Sequence, residues 1–282
     1  MSIQLIPYKP AGTIGSGPYV LREYKPDTGV DVSALSITYT GAYTDYGMVT
    51  MSDGARYRLL AFTSSGTLSI EQPVNCEVCV VGGGANGTKA TKSGGGDGGA
   101  GAYLKSQSVS AYNGGSVVVG AGQGVSSIAD VSVNAVSGQN GGTGAGGQTA
   151  GTGDGISKYP FEDTGYSLWA GKPHCGGGGQ GAYTIRVDRD NYGFEGGNGG
   201  TNGGNGYSRP GNQVSSPSGG VGGSYGGGNG GGTGNGGKAT YYGSGAGGGR
   251  YYENADGDVT LSNGGSGYQG IVYMRIPEEQ AA

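Results

Sequence analysis

Residues 219–237 read Gly219-Gly220-Val221-Gly222-Gly223-Ser224-Tyr225-Gly226-Gly227-Gly228-Asn229-Gly230-Gly231-Gly232-Thr233-Gly234-Asn235-Gly236-Gly237. Glycine falls there at every third residue, at 228, 231, 234 and 237, with a shorter register at 220, 223 and 226. The same spacing recurs at 197, 200, 203 and 206, and at 141, 144 and 147. A period of three is that of polyproline II, with three residues per turn and a rise of ~3.1 Å. A Gly-Gly-X chain in that helix has two bare edges and one edge carrying X. Bare edges let backbones approach closely, so N–H and C=O groups can bond between neighbouring helices, with a smaller contribution from Cα–H···O contacts. The expected fold class is therefore mainly β with almost no α-helix, containing polyglycine II helices packed as a lattice. The tracts assigned to the lattice are 138–155, 196–206, 219–237 and 243–249. Each glycine loses roughly 1–2 kcal/mol of backbone entropy on ordering, which only dense inter-helix bonding could offset. A flexible linker is the alternative, but linkers are padded with serine and lack a sharp period. Here the fillers are Asn, Thr, Ala and Tyr.

Composition supports this reading. Glycine supplies 71 and proline 10 of 282 residues, far above the ~12% usual for the pair. An ordinary helical enzyme is excluded, because glycine costs about 1 kcal/mol per residue inside a helix. Proline is too rare for collagen. The net charge is -4 with 13% charged residues, which is too few for a charge-driven disordered chain. It also gives no basic field for nucleic acid or an anionic membrane. No apolar run approaches the ~20 residues of a membrane span. Met1-Ser2-Ile3-Gln4-Leu5-Ile6-Pro7 has neither the basic nor the long apolar region of a secretory signal. Three cysteines are not a disulfide framework and suit synthesis in a reducing cytosol.

Strand signals flank the glycine. Val30–Thr40 alternates with one slip near Leu35, and turns are expected at Pro26-Asp27-Thr28-Gly29 and Ser52-Asp53-Gly54. Tyr57–Phe62, Thr67–Ile70, Glu77–Val81, Gly101–Leu104, Ser116–Val119 and Gly270–Ile276 read as further strands. The division expected is an N-terminal β docking module at 1–56, a glycine-rich domain at 57–277 and a short tail at 278–282. Within that domain, a β framework (57–124 and 268–276) holds the glycine tracts at both ends.

Taken together, Phe62-Thr63-Ser64-Ser65-Gly66-Thr67, Cys79-Val80-Val81-Gly82-Gly83-Gly84, Gly98-Gly99-Ala100-Gly101-Ala102-Tyr103, Val117-Val118-Val119-Gly120-Ala121-Gly122-Gln123-Gly124 and Gly270-Ile271-Val272-Tyr273-Met274-Arg275 resemble the glycine-rich domain of bacteriophage tail proteins. The resemblance covers about 57–277 and departs at Leu68 and Ile70, where the family favours an aromatic and a valine, and in the long inserts after Gly155. A looser, architectural similarity is to the distal adhesins of large contractile-tailed phages, in which polyglycine II helices carry receptor-binding loops. The resemblance implies a virion localisation after synthesis in a bacterial cytoplasm. It implies contact with other tail proteins through the N-terminal module and with a bacterial surface protein or polysaccharide. Either a homotrimer or single copies on a trimeric shaft fit it.

Candidate chemistry is sparse. Gly82-x-Gly84-x-x-Gly87 matches the dinucleotide fingerprint, but the helix that must follow has no room before Gly94-Gly95-Gly96. Cys76-x-x-Cys79 with His174-Cys175 could hold zinc, yet positions i and i+3 of a strand face opposite sides. Glu162, Asp163, Asp188, Asp190 and Glu195 could supply a glycosidase pair only at a set separation. Asp256-Gly257-Asp258 is a fragment of a calcium loop. No catalytic residue, metal or cofactor is therefore assigned. Aromatics carry the functional signal, with 21 tyrosines against three phenylalanines and one tryptophan. Tyr, Ser, Gly and Asn together are the composition of antibody binding loops. The candidate receptor-binding residues are Tyr159, Phe161, Tyr166, Trp169, Tyr192, Phe194, Tyr207, Tyr241, Tyr242, Tyr251 and Tyr252; local packing is the alternative role for them. The expected function is non-covalent recognition of a host surface by a virion tail or tail-fibre protein. A purely structural virion protein and a polysaccharide depolymerase are the rivals.

Overall fold

The computed structural model describes residues 30–92, 95–133, 159–179, 181–187, 190–194, 214–215, 219, 222, 227–232 and 234–280. Among the described residues, the larger of two sheets is antiparallel throughout and comprises β1 (Ile37–Tyr39), β2 (Tyr43–Thr50), β3 (Arg56–Phe62), β4 (Gly66–Val81), β5 (Leu104–Val118), β6 (Ser126–Ile128), β7 (Val131–Val133) and β13 (Ile271–Pro277). Its order is β2-β3-β13-β4-β5-β6-β7, with β1 also on β4. The late strand β13 lies between β3 and β4, so the framework closes on itself as the sequence predicts. The smaller sheet runs β10 (Val214–Ser215), β9 (Asp190–Phe194), β8 (Tyr183–Val187), β11 (Tyr251–Glu253) and β12 (Val259–Leu261), with β8 and β11 parallel. Among the described residues no helix is long and apolar enough to cross a membrane.

A period of two divides the central strands between two cores. Leu60 and Phe62 of β3, Val78 and Val80 of β4, and Val272, Met274 and Ile276 of β13 enter one core with Val32, Leu35, Val117 and Ile128. Their alternates Leu59, Ala61, Cys79, Val81, Ile271 and Tyr273 enter a second core with Phe161, Trp169 and Cys175. A sheet covered on both faces explains the uninterrupted apolar runs of these strands.

Three sequence expectations change here. Val30–Thr40 is not one strand: Asp31 Oδ1 accepts the N–H of Ser33 at 3.0 Å and of Ala34 at 3.3 Å, closing a turn before β1. Thr67–Ile70 and Glu77–Val81 belong to one strand, as do Leu104 and Ser116–Val118, each bent by register shifts in the β4–β5 pairing. The boundary expected at 56/57 falls inside the larger sheet. β1 pairs with β4, β2 pairs with β3, and Val32 and Leu35 sit in the first core. Residues 30–56 are therefore part of the framework. The remainder of the expected docking module, 1–29, lies outside the described residues, as does the turn at 26–29.

Glycine tracts continue from the strand ends and bond to one another without forming ladders. Tract 243–249 is wholly buried. Gly245 and Gly248 donate to the carbonyls of Gly176 and Gly179, Ala246 and Gly249 to those of Ala85 and Thr88, and Gly247 to that of Gly237. In return Gly228 and Gly231 donate to Gly245 and Gly248, Gly99 and Gly96 to Ala246 and Gly249, and Gly265 to Gly247. Partners thus repeat every three residues. The bundle also includes 83–88, 95–101, 176–179, 181–182 and 262–267, outside the tracts expected from the period of three. Tracts 138–155 and 196–206 lie outside the described residues, and 219–237 is described only in part.

Candidate binding surface

The segment Tyr159–Cys175 covers the second face of the larger sheet. It opens with a 3-10 turn, Pro160–Glu162, in which Phe161 and Glu162 adopt φ of 55° and 60°. Left-handed backbone costs a non-glycine residue of order 1–3 kcal/mol and persists only where the surroundings impose it. Asp163 does so next in the chain. Its Oδ1 accepts from Ser52 Oγ and from the N–H groups of Gly165 and Tyr166, both at 3.0 Å, and its Oδ2 accepts from the Ser52 N–H at 3.1 Å. Burial raises its pKa, but these hydrogen bonds outweigh burial and hold the carboxyl below its usual value. The Asp163 carbonyl accepts the indole N–H of Trp169. The Trp169 ring, 0% exposed, meets Tyr166 at 4.8 Å and Tyr273 at 5.4 Å edge to face. Arg275, paired with Glu77 at 2.8 Å, lies between the rings of Tyr57 and Phe161, 4.4 Å from each centroid.

His174 stands beside this cluster. Its Nε2 and the Tyr273 hydroxyl are 3.0 Å apart, and its ring contacts Tyr241 and Tyr242. Burial pushes its pKa down to about 3, so the imidazole is neutral. The Tyr273 phenol is driven up, chiefly by burial.

Of the sequence-predicted residues, the structure brings Tyr159, Phe161, Tyr166, Trp169, Tyr241 and Tyr242 into one aromatic region. They do not share one role. Phe161 and Trp169 are buried and cannot touch a partner; Tyr166, Tyr241 and Tyr242 are half-buried and form the outer layer. Tyr251 belongs elsewhere: it is buried in the smaller sheet, stacked on Tyr183 at 4.5 Å, with its hydroxyl on Glu253. Tyr252 lies under the Arg250 guanidinium at 4.5 Å. Tyr192 and Phe194 are placed on β9 by backbone register alone, and Tyr207 is outside the described residues. Aromatic count located these rings, but burial is decided by which strand face the covering segment meets.

Two exposed tyrosines that are not among the candidates join the outer layer. Tyr268, 36% exposed, meets Tyr242 at 5.6 Å. Tyr46, 41% exposed, lies two residues beyond Thr44, which pairs with Ala61 of the second core, itself paired with Tyr273. The Tyr46 signal was its place before a glycine, Asp45-Tyr46-Gly47, where β2 bulges against β3.

Among the described residues, the motifs weighed for chemistry are placed as follows. Cys76 and Cys79 fall in different cores, and burial pushes their thiols up to about 12 and about 11. Gly82, Gly84 and Gly87 donate their N–H groups to the carbonyls of Tyr103, Tyr268 and Gly265. Asn254 accepts from the N–H groups of Asp256 and Asp258, closing that turn internally. Glu162 is exposed, Asp190 is described by its backbone, and Asp188 and Glu195 lie outside the described residues. Among the described residues no group of three or more His, Cys, Asp or Glu could hold a metal ion. Comparison with protein-family models finds no matching family, and comparisons with curated proteins and with solved structures find no match.

Proposed function

We propose that the glycine tracts are polyglycine II helices packed as a lattice, and that the protein is a bacteriophage tail or tail-fibre component that recognises a host surface without covalent chemistry. The lattice reading is supported by residues 245–249 of the central tract, which among the described residues donate to three tracts and accept from three, with partners repeating every third residue. That is the pairing expected of hexagonally packed threefold helices. The functional reading rests on one observation: a layer of part-exposed tyrosines, Tyr46, Tyr166, Tyr241, Tyr242 and Tyr268, backed by a buried aromatic layer and anchored to hydrogen-bonded backbone. Rings held in this way lose little entropy on binding, so more of the contact energy appears as affinity. Repeated copies on a particle would raise weak single contacts by avidity.

The test is fluorescently labelled protein incubated with a panel of bacterial strains. Saturable coating of a subset of strains, reduced by Tyr46→Ala with Tyr242→Ala, is the expected result. Binding to isolated tail structures with no strain coated would replace this reading with a purely structural virion role.

A further inference from the structure

Resting on the attachment reading, we propose that the outer tyrosine layer is a platform for an uncharged glycan, and that Tyr46 is its leading contact. Tyr46 is presented by a built device. The pairing of β2 with β3 slips between Asp45 and Met48, and a bulge of this kind re-aims the side chain it carries. Gly47 takes φ of 66°, and its N–H is accepted by Asp45 Oδ1 at 2.8 Å. Arg58 holds Asp45 through Nη2 at 2.7 Å while its Nη1 donates to the carbonyls of Val32 and Leu35. The bulge is thereby tied to the first core, and the ring stands outward on a fixed backbone.

The surroundings select the class of ligand. Asp45 is committed to Arg58 and to Gly47, and Asp163 is committed to Ser52 and to backbone N–H groups. The phenols of Tyr166 and Tyr242 are pushed above their ordinary pKa, first by burial, so they remain neutral donors and acceptors. What the layer offers is ring surface and hydroxyl groups. A pyranose matches both: its C–H face lies against the negative face of an aromatic ring, and its hydroxyls bond to phenols. Tyr, Trp and Arg are the usual anchors of protein interfaces, and of these the layer offers Tyr alone, since Trp169 and Arg275 are buried within the fold.

The experiment uses the full chain on an array of immobilised neutral oligosaccharides of hexose, N-acetylhexosamine and deoxyhexose units, with sialylated and sulfated glycans alongside. A subset of neutral glycans should bind, with little change between about 0.1 and about 0.5 M salt, because no charge pair is involved. Tyr46→Ala should weaken that binding about tenfold or more, the loss typical of a leading interface aromatic, with the melting temperature unchanged. Tyr268→Ala should weaken it less. Asp45→Ala should weaken it while Tyr46 is intact, since the bulge loses its tie. Absence of neutral glycan binding, binding confined to the charged glycans, or unchanged binding by Tyr46→Ala would each overturn the proposal. Protein that coats cells yet binds no neutral glycan removes the glycan inference alone. Protein that binds neutral glycans yet coats no strain removes the attachment reading alone.

Discussion

His174 is the only histidine in the chain, and its position ties stability to pH. Its folded pKa is lowered to about 3 by burial, from 6.5 for the free side chain. Below 6.5 the unfolded chain takes up a proton that the folded protein refuses until about pH 3. The stabilisation is therefore complete above 6.5 and is lost as pH falls through that window. The slope is about 1.4 kcal/mol per pH unit, or roughly 2 kcal/mol between pH 7 and pH 5, where few carboxyls titrate. Urea unfolding at those two pH values should show the loss for the wild type and a much smaller one for His174→Gln. A wild-type midpoint that does not move would mean that His174 is open to solvent. The two buried aromatics among the binding candidates carry a related lesson. Trp169 and Phe161 looked functional by type, but the indole N–H reaches the Asp163 carbonyl and the phenyl ring stacks on Arg275. Sequence gives the ring and not the face it meets.

At the scale of elements, the glycine tracts depend on glycine because backbones meet where a Cβ would stand. A Cβ built on Gly247 would fall onto the carbonyl oxygen of Asn229, which is backbone and cannot turn aside. A Cβ on Gly234 meets nothing within 4 Å. Gly247→Ala should therefore destabilise by about 3 kcal/mol or more, at or beyond the upper end of overpacking costs. Gly234→Ala should be neutral or stabilising by up to about 1 kcal/mol, because it restricts the unfolded chain. Equal melting temperatures for the two variants would remove the close-packed bundle. The larger sheet was more readable: the apolar runs of β3, β4 and β13 mark them as strands, and the structure shows both of their faces filled. The bulge in β2 was not readable, because a slip of register arises from the pairing with β3.

For the whole molecule, the bundle cannot stand on its own hydrogen bonds. A net gain of about 1 kcal/mol per bond does not exceed the roughly 1–2 kcal/mol of entropy lost per residue. The two apolar cores of the adjoining sheet must supply the difference, through Gly82 leaving β4 and Gly270 entering β13. Sheet and bundle should then open together. Amide exchange of Gly245–Gly249 should be slowed to a degree comparable with Val272–Ile276. Exchange of those glycines at the rate of an unfolded peptide, with the strands still protected, would separate the two and leave the tyrosine layer without rigid support.

By itself, the sequence determined that the chain is mainly β, that β13 returns to the early strands, and that glycine repeats in threes, because each of these is written in local periodicity. Which tracts join the bundle, and which tyrosines face outward, was decided by tertiary structure. A glycine tract carries no side chain to mark its partner, and the exposure of an aromatic ring depends on what the rest of the fold lays over it.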